Sequence, residues 1–216
     1  NQLDTTCPEI ANLTSLILTG VYDLTGIEYL NHLETLDCGT NSLISIPQLP
    51  NSLLNLQCYM CSLSSLPALP NSLQTLNCQG NVLTSLPTLP SSLKTLICSD
   101  NFLNSLPLLP DSLITLYCQN NQLTNLPALP NSIQSINCNA NQLTSLPTLP
   151  DSLHTLYCNN NQISYIQSFP NSLKILQCGG NQLYSLPSVP SGVTSYYIQS
   201  NNISCLDNLP DSANGN

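Results

Sequence analysis

A single period governs this chain. Cysteine stands at 38, 58, 78, 98, 118, 138, 158 and 178, each step being twenty residues, and Ile198 takes the next slot. Three positions on runs a second column: Asn41, Cys61, Asn81, Asn101, Asn121, Asn141, Asn161, Asn181 and Asn201. Proline fills a third column from 50 to 210 and a fourth at 47, 67, 87, 107, 127, 147 and 187. Written as one unit, the repeat is L-x-x-L-x-C-x-x-N-x-L-x-S-L-P-x-L-P-x-S. Self-similarity at this spacing specifies a quasi-one-dimensional stack of turns rather than a globule with one centre.

Each column has a physical reason. In an extended segment alternate side chains face opposite ways, so Leu96 and Cys98 are expected inward, and Thr95, Ile97 and Ser99 outward. Stacked turns then share one parallel sheet. Prolines cannot donate backbone hydrogen bonds and disfavour helix at the preceding residue, so the opposite side should be extended or polyproline-like, with little α-helix. Asparagine suits an inward bend because its carboxamide both donates and accepts. The cysteine column Cys38, Cys58, Cys78, Cys98, Cys118, Cys138, Cys158 and Cys178 and the asparagine column are therefore read as structural ladders. Asn51, Asn71, Ser91, Asp111, Asn131, Asp151 and Asn171, just after the second proline, are expected to bond to backbone downstream. One unit buries too little to fold alone, so the array needs neighbours and caps.

Composition narrows the partners. Two lysines, no arginine and eleven acidic residues give a net charge of −9, which opposes nucleic acid and anionic membranes, both bound mainly through Lys and Arg. No stretch is apolar enough to span a bilayer. The first residues, "NQLDTTCPEI", lack a basic region followed by a hydrophobic one, so any export signal is expected to be removed or to lie outside this sequence.

Eleven cysteines raise three chemical readings. Cys58 and Cys61 form C-Y-M-C, a spacing found in zinc and redox sites, yet each fills a repeat column and no second pair or nearby histidine completes four ligands. Adjacent turns, about 4.8 Å apart, fall inside the disulfide window, but their Cβ atoms point side by side. As nucleophiles the thiols lack a base, His32 and His154 being distant in repeat number from Cys61. They read as free, buried small hydrophobes that fit where another leucine would crowd the stack. Neither a metal nor a cofactor is expected. Cys7 and Cys205, near the ends, are the thiols expected to be exposed or paired.

The unit is the leucine-rich-repeat pattern. Leu24 to Asn41, "LTGIEYLNHLETLDCGTN", resembles a repeat of the internalins, bacterial surface proteins that bind host receptors, one of which also carries a column of inward cysteines. From Ser45 onward, "SIPQLPNSLLNLQC" and its successors are similar to the LPxLP repeats of bacterial effectors whose leucine-rich half recognises target proteins. The resemblance implies a right-handed solenoid, horseshoe-like, with one parallel β-sheet on the concave face and an extended convex side. It also implies a secreted or cell-surface bacterial protein. Residues 1–15 are read as the N-terminal cap, 16–204 as the array of about nine repeats, and 205–216 as a truncated repeat or linker.

Function is sought where the repeats differ. The central outward column, Asp37, Gln57, Asn77, Ile97, Tyr117, Asn137, Tyr157, Gln177, Tyr197, is the most diverse. Beside it run Gly39, Tyr59, Gln79, Ser99, Gln119, Asn139, Asn159, Gly179 and Gln199. Solenoids usually bind on the concave face, and Tyr, Asn and Gln make adaptable contacts. Tyr59, Ile97, Tyr117, Asn137, Asn139, Tyr157, Asn159, Gln177 and Tyr197 are accordingly the candidates for contact with a protein or carbohydrate ligand, on a chain expected to be monomeric. Two alternatives stand beside this. The third outward column, Thr35, Asn55, Thr75, Thr95, Thr115, Ser135, Thr155, Ile175 and Ser195, resembles the threonine ladder of ice-binding proteins. The effector resemblance allows the recognition half of a protein whose catalytic domain lies elsewhere. No triad, carboxylate pair or phosphate loop marks this chain as an enzyme.

Overall fold

The computed structural model describes residues 10 and 12–204. Ten short strands are found: β1 Ser15–Ile17, β2 Thr35–Asp37, β3 Asn55–Gln57, β4 Thr75–Asn77, β5 Thr95–Ile97, β6 Thr115–Tyr117, β7 Ser135–Asn137, β8 Thr155–Tyr157, β9 Ile175–Gln177 and β10 Ser195–Tyr197. They pair in chain order in one parallel sheet, each residue facing its counterpart in the next unit, as in Leu96 against Leu116 and Ile97 against Tyr117. The chain therefore coils as a solenoid, one strand per turn. Between residues 31 and 204 it contains no helix. A 3-10 turn at Ile27–Tyr29 stands before β2, where the stretch from Leu24 to Leu33 carries no proline.

From β2 to β9 the middle residue of each strand is buried and its neighbours are half-buried, as alternation requires. The ladder continues past the strand, with Cys98 N–H donating to Tyr117 O (2.8 Å) and Asp100 N–H to Gln119 O (2.9 Å). The chain then turns through a left-handed residue. Thr40, Met60, Asp100, Asn120, Ala140, Asn160 and Ser200 have φ between 49° and 58°, and Gly20, Gly80 and Gly180 complete the column. Gly, Asn and Asp recur there because they reach this region at least steric cost.

The inward leucines and isoleucines and the whole cysteine column are buried in one continuous core. On the far side the return to the strand is closed by Pro50 O, which accepts from Leu53 N–H (3.2 Å), and the same bond recurs at each following proline up to Val193 to Pro190. The bond expected from the residue after that proline comes instead from the serine one place on. Ser52 Oγ donates to Leu33 O (2.7 Å), and Ser72, Ser92, Ser112, Ser132, Ser152 and Ser172 repeat it. Asn51 and its counterparts are exposed, and it is the serine hydroxyl that meets the carbonyl of the preceding turn.

Candidate functional site

The interior ladders hold the face in place. Asn121 Nδ2 donates to Cys98 O (3.0 Å), Cys118 O (3.1 Å) and Gln119 O (3.3 Å), while its Oδ1 accepts from Leu103 N–H (2.9 Å). Each such carboxamide stitches its own turn to the one before. The set recurs at Asn41, Asn81, Asn101, Asn141, Asn161, Asn181 and Asn201. Cys61 is the exception. Its thiol reaches Cys38 O (3.4 Å) and Tyr59 O (3.6 Å), but it has no carboxamide oxygen for Leu43 N–H, the amide in the position that Oδ1 serves in the other turns.

Burial governs the thiols. It pushes Cys38, Cys78, Cys138 and Cys178 up to about 12, and Cys58, Cys98, Cys118 and Cys158 well above their ordinary value. They stay protonated at neutral pH and unreactive as nucleophiles. The nine described cysteines are free; Cys7 and Cys205 lie outside the described residues. Among the described residues no group of three or more His, Cys, Asp or Glu could hold a metal ion, and no helix is long and apolar enough to cross a membrane.

On the sheet face, strand register places Ile97, Tyr117, Asn137, Tyr157, Gln177 and Tyr197 side by side across β5 to β10. Five are half-buried and Tyr197 is more exposed. In the neighbouring column, outward by alternation, Ser99 is wholly buried, and Gly39 and Gly179 are buried too. A Cβ on Gly39 would stand 2.5 Å from the Tyr59 ring, and one on Gly179 would run into the Tyr197 ring. These tyrosines lie flat over small residues instead of standing up from the sheet. Tyr117 has the same offset from Ser99 as Tyr197 from Gly179. An aromatic set against Gly or Ser at these offsets was the signal available in the sequence.

The amides on this face are not all free for a ligand. Asn139 Oδ1 accepts from Asn159 N–H (2.6 Å), Asn159 Oδ1 accepts from Gly179 N–H (2.8 Å), and Asn159 Nδ2 donates to Gln177 Oε1 (3.0 Å). Asn77 Nδ2 donates to Gln57 Oε1 (2.9 Å), whose Nε2 donates to Asn55 Oδ1 (2.7 Å). Two atoms lack partners: Ser99 Oγ and Gln119 Oε1, in adjacent turns of one column, are buried without a hydrogen bond. The threonine column is half-buried from Thr35 to Ile175 and runs along the edge of this face.

With the geometry in view, comparison with solved structures decides the family. YopM of Yersinia pestis, a leucine-rich effector protein, superposes with a TM-score of 0.82 at 32% identity, over 92% of this chain and 61% of that one. A Shigella effector leucine-rich-repeat domain is 36% identical over 66% of this chain and 67% of its own, with a TM-score of 0.60. The chain is a leucine-rich-repeat protein. The functional domain of InlJ from Listeria monocytogenes, which includes a cysteine ladder, matches this leucine-rich-repeat chain at 27% identity and TM-score 0.80, over 92% of this chain and 46% of that one. The chain thus spans between about half and two thirds of the bacterial leucine-rich-repeat proteins it matches. No family profile and no curated protein sequence matches it.

Proposed function

We propose that the concave sheet face binds a protein partner through the row from Ile97 to Tyr197, without catalysis. The observation that carries this reading is that row itself: three tyrosines alternate with amides in strict register on a rigid sheet, with no charged residue between them. Flat rings at low rotamer cost are what adaptable recognition surfaces use. Leucine-rich-repeat neighbours of effector and internalin type support a protein-interaction module, and with it a secreted or surface setting.

The test pairs a pull-down with a glycan array, using wild type and the Tyr117→Ala, Tyr157→Ala double variant. Capture of a protein that the double variant fails to retain is the expected result. Undiminished capture would remove the patch, and glycan binding lost in the variant would redirect it to carbohydrate. Thermal hysteresis in the purified protein would favour the threonine edge and ice instead.

A further inference from the structure

The rim beyond the left-handed turn changes character along the solenoid. In the later turns its outermost side chains are Gln122, Gln142, Gln162 and Gln182, all exposed. In the earlier turns the same column runs Tyr22, Ser42, Ser62, Val82 and Phe102, the last two 43% and 51% exposed. Met60, 59% exposed, lies along this rim, its Cγ 3.2 Å from where a Cβ of Gly80 would stand. Val82 and Phe102 share one column on adjacent turns, with Ser62 before them and Gln122 after, and Met60 stands beside them in the left-handed column, so the three lie on one stretch of rim across consecutive turns. Met60, Val82 and Phe102 keep about half of their surface in water after folding, so burial against something else adds stabilisation.

The strip has a charged companion. Asp100 holds the left-handed position two residues before Phe102, its carboxylate accepting from Gln79 Nε2 (3.0 Å) and Asn120 Nδ2 (2.7 Å). These amides fix where the charge stands without neutralising it. Lys94, the cation of that turn, donates to Gln74 Oε1 on the other side of the strand (3.1 Å).

We propose that Met60, Val82 and Phe102, with Asp100 among them, seat a polypeptide segment of the partner in which apolar side chains lie close to a Lys or Arg. This rests on the recognition reading above and names the chemistry of what is recognised. Charge complementarity selects the occupant: the surface is anionic, with a net charge of −9. A second copy of this chain fits poorly, since it has two lysines and no arginine to offer.

The test is selection of a random peptide library on the immobilised protein, followed by affinities of the selected peptides for three variants. Selected sequences are expected to combine apolar residues with Lys or Arg. Val82→Ser with Phe102→Ser should weaken them by about tenfold, and Asp100→Asn by about threefold at low salt and less at high salt. All these positions are at the surface, so melting temperatures serve as the folding control. No enrichment, an acidic consensus, or affinities unchanged by the Val82 and Phe102 substitutions would overturn the proposal. Peptides that respond to Tyr117→Ala and Tyr157→Ala but not to the rim variants would sink the rim while leaving the concave-face reading intact. Self-association in sedimentation, abolished by Phe102→Ser, would overturn it in favour of a second copy.

Discussion

The interior of the solenoid and its outward face obey different rules although they are the two sides of the same strands. Inside, Leu96, Leu116 and Leu156 or Cys98, Cys118 and Cys158 meet identical surroundings turn after turn, and Asn101, Asn121 and Asn141 make the same four bonds. Outside, the column through Ile97 changes residue at almost every rung, and the rim column shifts from Val82 and Phe102 to Gln122, Gln142, Gln162 and Gln182. Stacking demands that each turn match its neighbour only where they touch. The remainder is free to vary, and Cys61, the departure from the asparagine ladder, adjoins Met60 on the rim.

The largest effect expected from this contrast is alkaline unfolding. The ladder thiols have raised values in the folded chain, so the unfolded chain loses its protons first. Their contribution is complete below about 9 and is lost as pH rises towards about 12. Each thiol removes up to about 1.4 kcal/mol per pH unit in that range, and they add. Denaturant midpoints at about pH 8 and about pH 10 should therefore fall steeply, and Cys118→Val should make the fall shallower by one thiol's share. A pH-independent midpoint would show that the column is not buried.

A smaller effect is expected in the asparagine ladder. Asn121→Leu strips three carbonyls and the Leu103 amide of their partner and should cost about 1–3 kcal/mol, read as a lower melting temperature. Smallest, and opposite in sign, is Cys61→Asn, which supplies the missing acceptor and should stabilise by about 1 kcal/mol. If Cys61→Asn destabilises instead, the third turn is not built like the others, and the interior is less uniform than the hydrogen bonds indicate.

Much of this was legible beforehand. The cysteine and asparagine columns, the sheet and the helix-free proline side follow from spacing, because a repeat places equivalent residues in equivalent surroundings. Other features were written in the sequence without being assigned a role: the serine that recurs from Ser52 to Ser172, and the Gly, Asn and Asp enrichment at the left-handed position. Ser99 shows what alternation leaves out, because it predicts the side of a strand and not how deeply a residue on that side is buried. Asn139 and Asn159 show the same limit, each offering a carboxamide to solvent in the sequence and binding the next turn's backbone in the structure.

The sequence by itself therefore determined the period, the coil and which columns turn inward, since these depend on local alternation and on burial summed over many equivalent turns. Only the tertiary structure decided which outward atoms remain available. Tyr59 and Tyr197 lie down over glycines, Asp100 is pinned by residues twenty or so positions away, and Met60 reaches along the rim to Gly80. Those arrangements arise between turns, where side chains distant in sequence compete for the same space and the same hydrogen bonds.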